Sequence, residues 1–288
     1  MSASARPRSN VWRSRRARLW RTLLVGGALA ASGPCLSAQW LHRQTPDVPR
    51  LPDGRPDLSA PAPRTPEGHP DIQGIWDVGN MLYFHDLARG LKPGDVELTP
   101  WAAAIRTQRM ARNHVDDPYG YCLPLGVPRI DTRSPFKIVQ TPGLTLFLHE
   151  TFVGMIFRQV FTDGRPLPNP GESEPTWLGY SVGRWEGDSF VVESTGFRDR
   201  GWLSANQAYP HSDALHVIER FLRRDFGHMD LTVTIDDRKA YVKPWTNTIP
   251  LNYLPDTELL EAFCDNQMLI LKQWSVSPMP PEPPSPRD

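Results

Sequence analysis

From residue 136 onward apolar and polar residues alternate with a period of two, the spacing of a strand whose two faces meet different surroundings. The stretch "FKIVQTPGLTLFLHETFVGMIFRQVFTDG" predicts two or three strands, broken at Pro-Gly and at short polar segments. "LGYSVGRWEGDSFVVESTGF" predicts a hairpin with Gly187-Asp188 at its tip. "ALHVIERFLRR" and "MDLTVTIDD" flank a turn around Phe226-Gly227, and "ELLEAFC" with "MLILKQWSV" predicts the last pair. Eight or more antiparallel strands on short turns call for a closed or nearly closed barrel, because an open sheet of that length leaves edges to protect. The expected class is therefore all-β and antiparallel.

The period of 3.6 surfaces once, near "TPWAAAIRTQRMARNH". Thr99 caps a helix there, Pro100 suits its first turn, and Trp101, Ile105 and Met110 suggest an inward stripe. Residues 39–70 are too rich in proline for helix or sheet and predict extended chain. Within them "DGRPDLSA" is echoed by "EGHPDIQG", which reads as a local duplication without a structural repeat. Residues 71–276 make a single barrel domain, and 277–288 predict a disordered proline-rich tail.

Parity sorts the polar residues. In the hairpin over 178–195 a two-residue loop puts Ser181, Gly183, Trp185, Phe190 and Val192 on one face, and Tyr180, Arg184 and Glu193 on the other. A two-residue turn at Thr151-Phe152 groups Leu144, Leu146, Leu148, Met155 and Phe157 as a core face, with Thr145, Phe147, His149 and Arg158 opposite. In the strand after "PHSD", His216, Ile218, Arg220 and Leu222 alternate with Leu215, Val217, Glu219 and Phe221. Both rows are partly apolar, so this strand is expected to be covered on both sides.

The first 38 residues change the electrostatics. They hold seven arginines and no acid, then the apolar run "LLVGGALAA" and a small residue at Ala38, the pattern of a signal peptide. "SRRARL" partly matches a twin-arginine signal. The apolar run is far shorter than the roughly 20 residues of a bilayer span, so no membrane span is expected. The whole chain balances 32 Lys+Arg against 32 Asp+Glu; without the seven leader arginines the remaining 250 residues carry a formal charge of −7. That charge argues against nucleic acid as a partner. A periplasmic or secreted location favours a disulfide between the two cysteines left, Cys122 and Cys264.

Candidate chemistry gathers on the strand from His216. A histidine, a glutamate and an arginine on a strand covered on both faces must find partners. His216, facing the lumen, is the first candidate for a general acid or base, with Glu193 or Glu219 as its acidic partner and His211 at the rim beside Asp213. Arg220, Arg158, His149, Tyr180 and Arg184 are candidate ligand-binding residues. The structural alternative is an ion pair of Glu219 with an arginine, and histidines held by backbone carbonyls. His211, His216 and His149 lack any known metal-ligand spacing, so no metal is predicted. Asp163 and Arg165 in "DGRPLPNPGES" read as turn residues. No nucleotide fingerprint or nucleophile motif is present, and no cofactor is implied.

The series "PDIQGIW", "CLPLGVPR", "FKIVQTPG", "FRQVFTDGR", "GYSVGRWEGDSFVVESTGFRDR", "PHSDALHVIERFLRRDFGHMD" and "TIDDRKAYVKPW" resembles a family of exported bacterial all-β proteins with no assigned catalytic residues. The likeness spans roughly residues 70 to 265. Separately, "GIW" (Gly74 to Trp76) is similar to the Gly-x-Trp of lipocalins, which implies a lipocalin-like barrel. Three functions follow as expectations. The first is a periplasmic or secreted barrel binding a small, partly apolar ligand in its lumen. The second is a cofactor-independent hydratase, lyase or hydrolase using a His-acid pair in the same lumen. The third is an envelope protein that meets a partner through its proline-rich ends.

Overall fold

The computed structural model describes residues 44–262, apart from 152, 154–155, 170–171 and 173, together with 286. The leader and its cut, Cys264, and the strand expected over 268–276 lie outside the described residues.

Nine strands follow one another around a closed barrel, the last returning to the first. They are β1 (Gly74–Asp77), β2 (Phe136–Thr141), β3 (Leu144–His149), β4 (Ile156–Phe161), β5 (Tyr180–Glu186), β6 (Ser189–Thr195), β7 (His216–Arg223), β8 (His228–Asp236) and β9 (Trp245–Tyr253). The expected breaks at Pro142-Gly143 and Gly187-Asp188 are two-residue turns, where Thr141 pairs with Leu144 and Glu186 with Ser189, whereas the two-residue turn expected at Thr151-Phe152 gives way to a six-residue connection between His149 and Ile156. All neighbours are antiparallel except β4 and β5, which run parallel and pair only at Val160↔Ser181 and Phe161↔Val182. The connection over 162–179 carries the chain back along the barrel before β5 begins, so the fully antiparallel expectation fails at this seam. β1 and β9 also meet at only two positions, Trp76↔Tyr253 and Asp77↔Asn252.

Among the described residues the last strand is one that the alternation did not predict. β9 is "WTNTIPLNY", and residues 257–262 form no strand. Pro250 faces Asp230 of β8 at a point where the other edge of β9 has no partner on β1, a place that tolerates a missing N–H.

The turn between β7 and β8 reverses a face. Arg224 N donates to His228 O at 2.9 Å, closing a turn of three residues, Asp225 to Gly227, where two were expected. The Asp225 carboxylate builds that turn by accepting from Gly227 N (3.0 Å) and His228 N (2.8 Å). One extra residue moves the whole strand by one step. Val217, Glu219, Phe221 and Arg223 are therefore the buried row, while His216, Ile218, Arg220 and Leu222 face outward. Glu219 pairs with Val233 and Phe221 with Leu231.

On β3 and β4 the two faces are grouped as expected and inverted in depth. Thr145, Phe147, His149 and Arg158 face the lumen; Leu144, Leu146 and Leu148 are only half-buried outside it, and Phe157 is 58% exposed. Alternation separates two rows but does not say which one a polar lumen will take. Inside, Trp76, Phe136, Phe147, Phe190, Phe221 and Leu231 belong to a continuous apolar core.

Helices close the barrel end opposite the hairpin turns. After a single turn, α1 (Leu82–His85), comes α2 (Pro100–Ala111), capped by Thr99, whose hydroxyl accepts from Ala102 N at 3.3 Å. Its inward stripe is Ala102, Ile105 and Arg109, and Met110 is exposed.

The proline-rich segment is folded. Pro49–Asp57 and Pro63–Asp71 adopt the same turn 14 residues apart: Leu51 N donates to Arg55 O and Thr65 N to His69 O, while Asp57 N donates to Pro49 O and Asp71 N to Pro63 O, all at 2.8 Å. Gly54 and Gly68 take positive φ, 85° and 89°, at the same place in each copy. Each copy clasps the barrel through its arginine, Arg50 to Asp256 at 2.7 Å and Arg64 to Asp188 at 3.0 Å. The duplication is thus structural after all, and it straps the hairpin end. Gly227 N donating to Leu58 O (2.8 Å) and Phe226 N to Ala60 O (2.7 Å) fix the strap between the copies.

Candidate functional site

The lumen holds a charged network in a place where apolar packing would be ordinary. Arg158 projects inward from β4; its Nε donates to Ser181 Oγ at 3.0 Å and its Nη2 to Ser194 Oγ at 2.7 Å and to the Glu219 carboxylate. Asp131, on the 3-10 turn Arg129–Thr132, approaches from the helix end, with Oδ2 3.8 Å from Arg158 Nη1 and Oδ1 3.6 Å from His149 Nε2. Asp131 and Glu219 are fully buried, and Arg158 and His149 nearly so.

Two carboxyls thus share one guanidinium. Burial, reinforced by the neighbouring Glu219 and opposed by Arg158, raises the Asp131 carboxyl well above its ordinary range and so favours its protonated form. Burial, together with the Arg158 charge, lowers His149 to about 3 and keeps its ring neutral. Burial works against the charge of Arg158, but the Glu219 carboxylate outweighs it. The set is one ion pair, one neutral acid and one neutral imidazole. Asp131 Oδ1 and Oδ2, both His149 ring nitrogens, Arg158 Nη1 and Glu219 Oε1 are buried without a protein hydrogen-bond donor or acceptor. Such groups could hold a proton for acid-base chemistry or bind a small polar guest. Among the described residues no group of three His, Cys, Asp or Glu is placed to hold a metal ion.

The structure therefore brings Glu219, Arg158 and His149 together and separates them from the other candidates. His216 lies on the outer face, its Nε2 3.1 Å from Glu193 Oε2, so the expected His-acid pair forms outside the lumen. Arg184 joins it, binding Glu193 at 2.5 Å and Glu186 at 2.7 Å, and Arg220 binds Glu186 at 2.6 Å. These make a solvated ion-pair row. Tyr180 is also outside, stacked on Phe161 with ring centroids 5.2 Å apart, and accepts from Arg165 at 3.2 Å. His211 is not at a rim. It is buried in the loops of the helix end, its Nδ1 3.0 Å from Ser212 O, and burial lowers its pKa.

Two concavities lie against the lumen wall. Between β4 and β5, where the parallel ladder lasts two residue pairs, a slot of about 230 Å³ is lined by Phe157, Gln159, Leu178 and Tyr180, with Arg158 and Ser181 of the network. At the hairpin end a larger cleft, about 660 Å³, lies within the size range of small-molecule sites. Its floor is Thr145, Gly183 and Phe190; Gln73, Gln140, Thr162 and Trp185 line its sides, and Thr65, Glu67 and His69 of the strap form the remaining wall. Gly183 has to be glycine, since a Cβ there would lie 2.7 Å from Val160 and 2.8 Å from Phe190. It stands two positions along β5 from Ser181, so the charged network lies just beyond the floor.

Asp131 was invisible to pattern reading: "PRIDT" has no period, and only the tertiary fold carries it into the barrel. For Trp185 and Phe190 the signal existed, because parity put them on the face of Ser181. No protein family, curated protein or solved structure matches the chain.

Proposed function

We propose that this chain is an exported, lipocalin-like barrel that binds a small, partly apolar molecule in its lumen through the cleft at the hairpin end. The observation that supports it is the cleft itself: about 660 Å³, floored by Phe190 and Thr145, walled by Trp185, and free of the charged residues of the network. The test is titration with the uncharged dye N-phenyl-1-naphthylamine, whose fluorescence rises in apolar surroundings. The wild-type protein should bind it. Gln140→Trp, which fills the mouth from a half-buried position, should weaken binding about tenfold or more, a loss of about 1.4 kcal/mol. Equal binding by a folded Gln140→Trp protein would refute the cleft as the site.

A second reading, acid-base catalysis in the lumen, is favoured by the unpartnered atoms of Asp131 and His149. The cleft lining includes none of the four network residues, so a substrate would reach them by way of the slot that Arg158 and Ser181 line. Turnover abolished by Asp131→Asn, with dye binding at the cleft unchanged, would support this reading over the first.

A further inference from the structure

The two copies of the strap differ in one instructive position. Arg55 in the first copy points away from the barrel and pairs with Asp53 at 2.7 Å, both groups exposed. Its counterpart in the second copy, His69, lies flat on Trp185, with ring centroids 4.6 Å apart and planes within 2°. His69 Nδ1 also lies 3.2 Å from Gly187 O. Same turn, same spacing, but one copy places a planar ring on the aromatic wall of the cleft.

We propose that the cleft selects an uncharged, planar ring compound bearing amide or hydroxyl groups, and that His69 occupies the face of Trp185 on which that ring stacks. The proposal rests on the cleft being the binding site, and it adds the chemical class of the guest and the group it displaces. Trp185 is held in place by Phe190, 5.2 Å away at 55°. Around it the cleft offers Gln73, Gln140, Thr145 and Thr162, all uncharged donors and acceptors. Gln73 uses its side-chain oxygen to accept from Gln140 N at 3.0 Å, which leaves its NH₂ for a guest.

Free charge is scarce in the cleft. Arg184 lines it but is engaged by Glu193 and Glu186. Glu67 is exposed on the strap, its carboxylate held below the ordinary range chiefly by its own backbone N–H. An anionic ring entering here would lose water without gaining a free ion-pair partner, and a cationic one would find only Glu67 on the exposed strap, where an ion pair is worth little. The second strap copy closes this wall with the Arg64–Asp188 pair, more than half exposed on both sides, a contact of the kind that opens at little cost.

Three isosteric probes separate these statements: benzamide is neutral, benzoate anionic and benzamidinium cationic. Each is titrated against the full secreted chain by calorimetry and tryptophan fluorescence. Benzamide should bind, and both charged probes should bind about tenfold more weakly or worse. His69→Ala should tighten benzamide about fivefold by removing the competitor, and Trp185→Ala should abolish its binding. A charged probe that binds as well as benzamide overturns the class, and a His69→Ala variant whose benzamide affinity is unchanged or weaker overturns the displacement. If the naphthylamine dye binds while none of the three rings does, the cleft stands and this proposal falls; if the dye also fails, the cleft itself is the error.

Discussion

Glu219→Gln and Asp131→Asn, two substitutions of one carboxyl by one amide about the same guanidinium, should have opposite consequences. Glu219→Gln takes from Arg158, whose side chain is 1% exposed, the carboxylate it binds directly, leaving Asp131 at 3.8 Å as the remaining acid beside it. Removing one member of a buried ion pair costs about 3–5 kcal/mol, a large part of a domain's typical stability of about 5–15 kcal/mol. Asp131→Asn should cost about 1 kcal/mol or less, because a neutral amide replaces a carboxyl whose protonated form is favoured and whose oxygens have no protein hydrogen bond to lose. It also removes a titration. The folded-state pKa of Asp131 is raised, so below the unfolded value of about 3.9 the acid is protonated in both states and contributes no pH dependence. As pH rises above that, the unfolded chain releases the proton while the folded protein keeps it. Wild-type stability then falls by up to about 1.4 kcal/mol per pH unit until the folded pKa is reached. Asp131→Asn, lacking that proton, should gain on the wild type over the same interval. Urea denaturation at pH 4, 5, 6 and 7, comparing midpoints at constant m, measures the gap, and the His149 titration cancels because both proteins keep it. A gap that does not widen with pH, or an Asp131→Asn protein as unstable at pH 7 as Glu219→Gln, would refute the protonated-acid assignment.

His149 should produce the opposite trend. Its folded pKa of about 3 lies below the unfolded value near 6.5, so stability is complete above pH 6.5 and is lost progressively as pH falls toward 3. His149→Phe, filling the space between Phe136 and Phe147, should flatten that acid limb in urea or thermal melts; an unchanged limb would contradict a buried neutral imidazole. For the cysteines, Cys122 and Cys264 should give no free thiol in the denatured, unreduced protein, and two titratable thiols at these positions would end that pairing.

What could be read from the chain follows the local chemistry of its turns. The β5–β6 hairpin was legible because Gly187-Asp188 makes a two-residue turn that needs nothing from elsewhere, and parity then separated Ser181 and Trp185 from Arg184 and Glu193. The same reasoning failed across Phe226-Gly227, since the Asp225 side chain lengthens that turn by one residue and sends His216 outside. β9 was missed because a strand containing Pro250 is recognisable only once its open edge is known. The charged lumen was half legible: Arg158 and His149 fell on one face and Glu219 on a covered strand. Their convergence depends on barrel closure, which no local pattern encodes, and Asp131 arrives from an irregular loop with no pattern at all.

The two short seams divide the barrel into two half-shells. β1 to β4 form one antiparallel ribbon and β5 to β9 the other, and each pair of rims meets over two residue pairs, at β4–β5 and at β9–β1. Arg158 and His149 belong to the first shell, and Ser181, Ser194 and Glu219 to the second. The buried guanidinium is therefore a bolt across a clamshell: it ties together halves whose rims share little backbone bonding. Local opening is expected where backbone pairing is sparsest, so exchange of the amides along the β4–β5 and β9–β1 rims should outpace that within either half-shell.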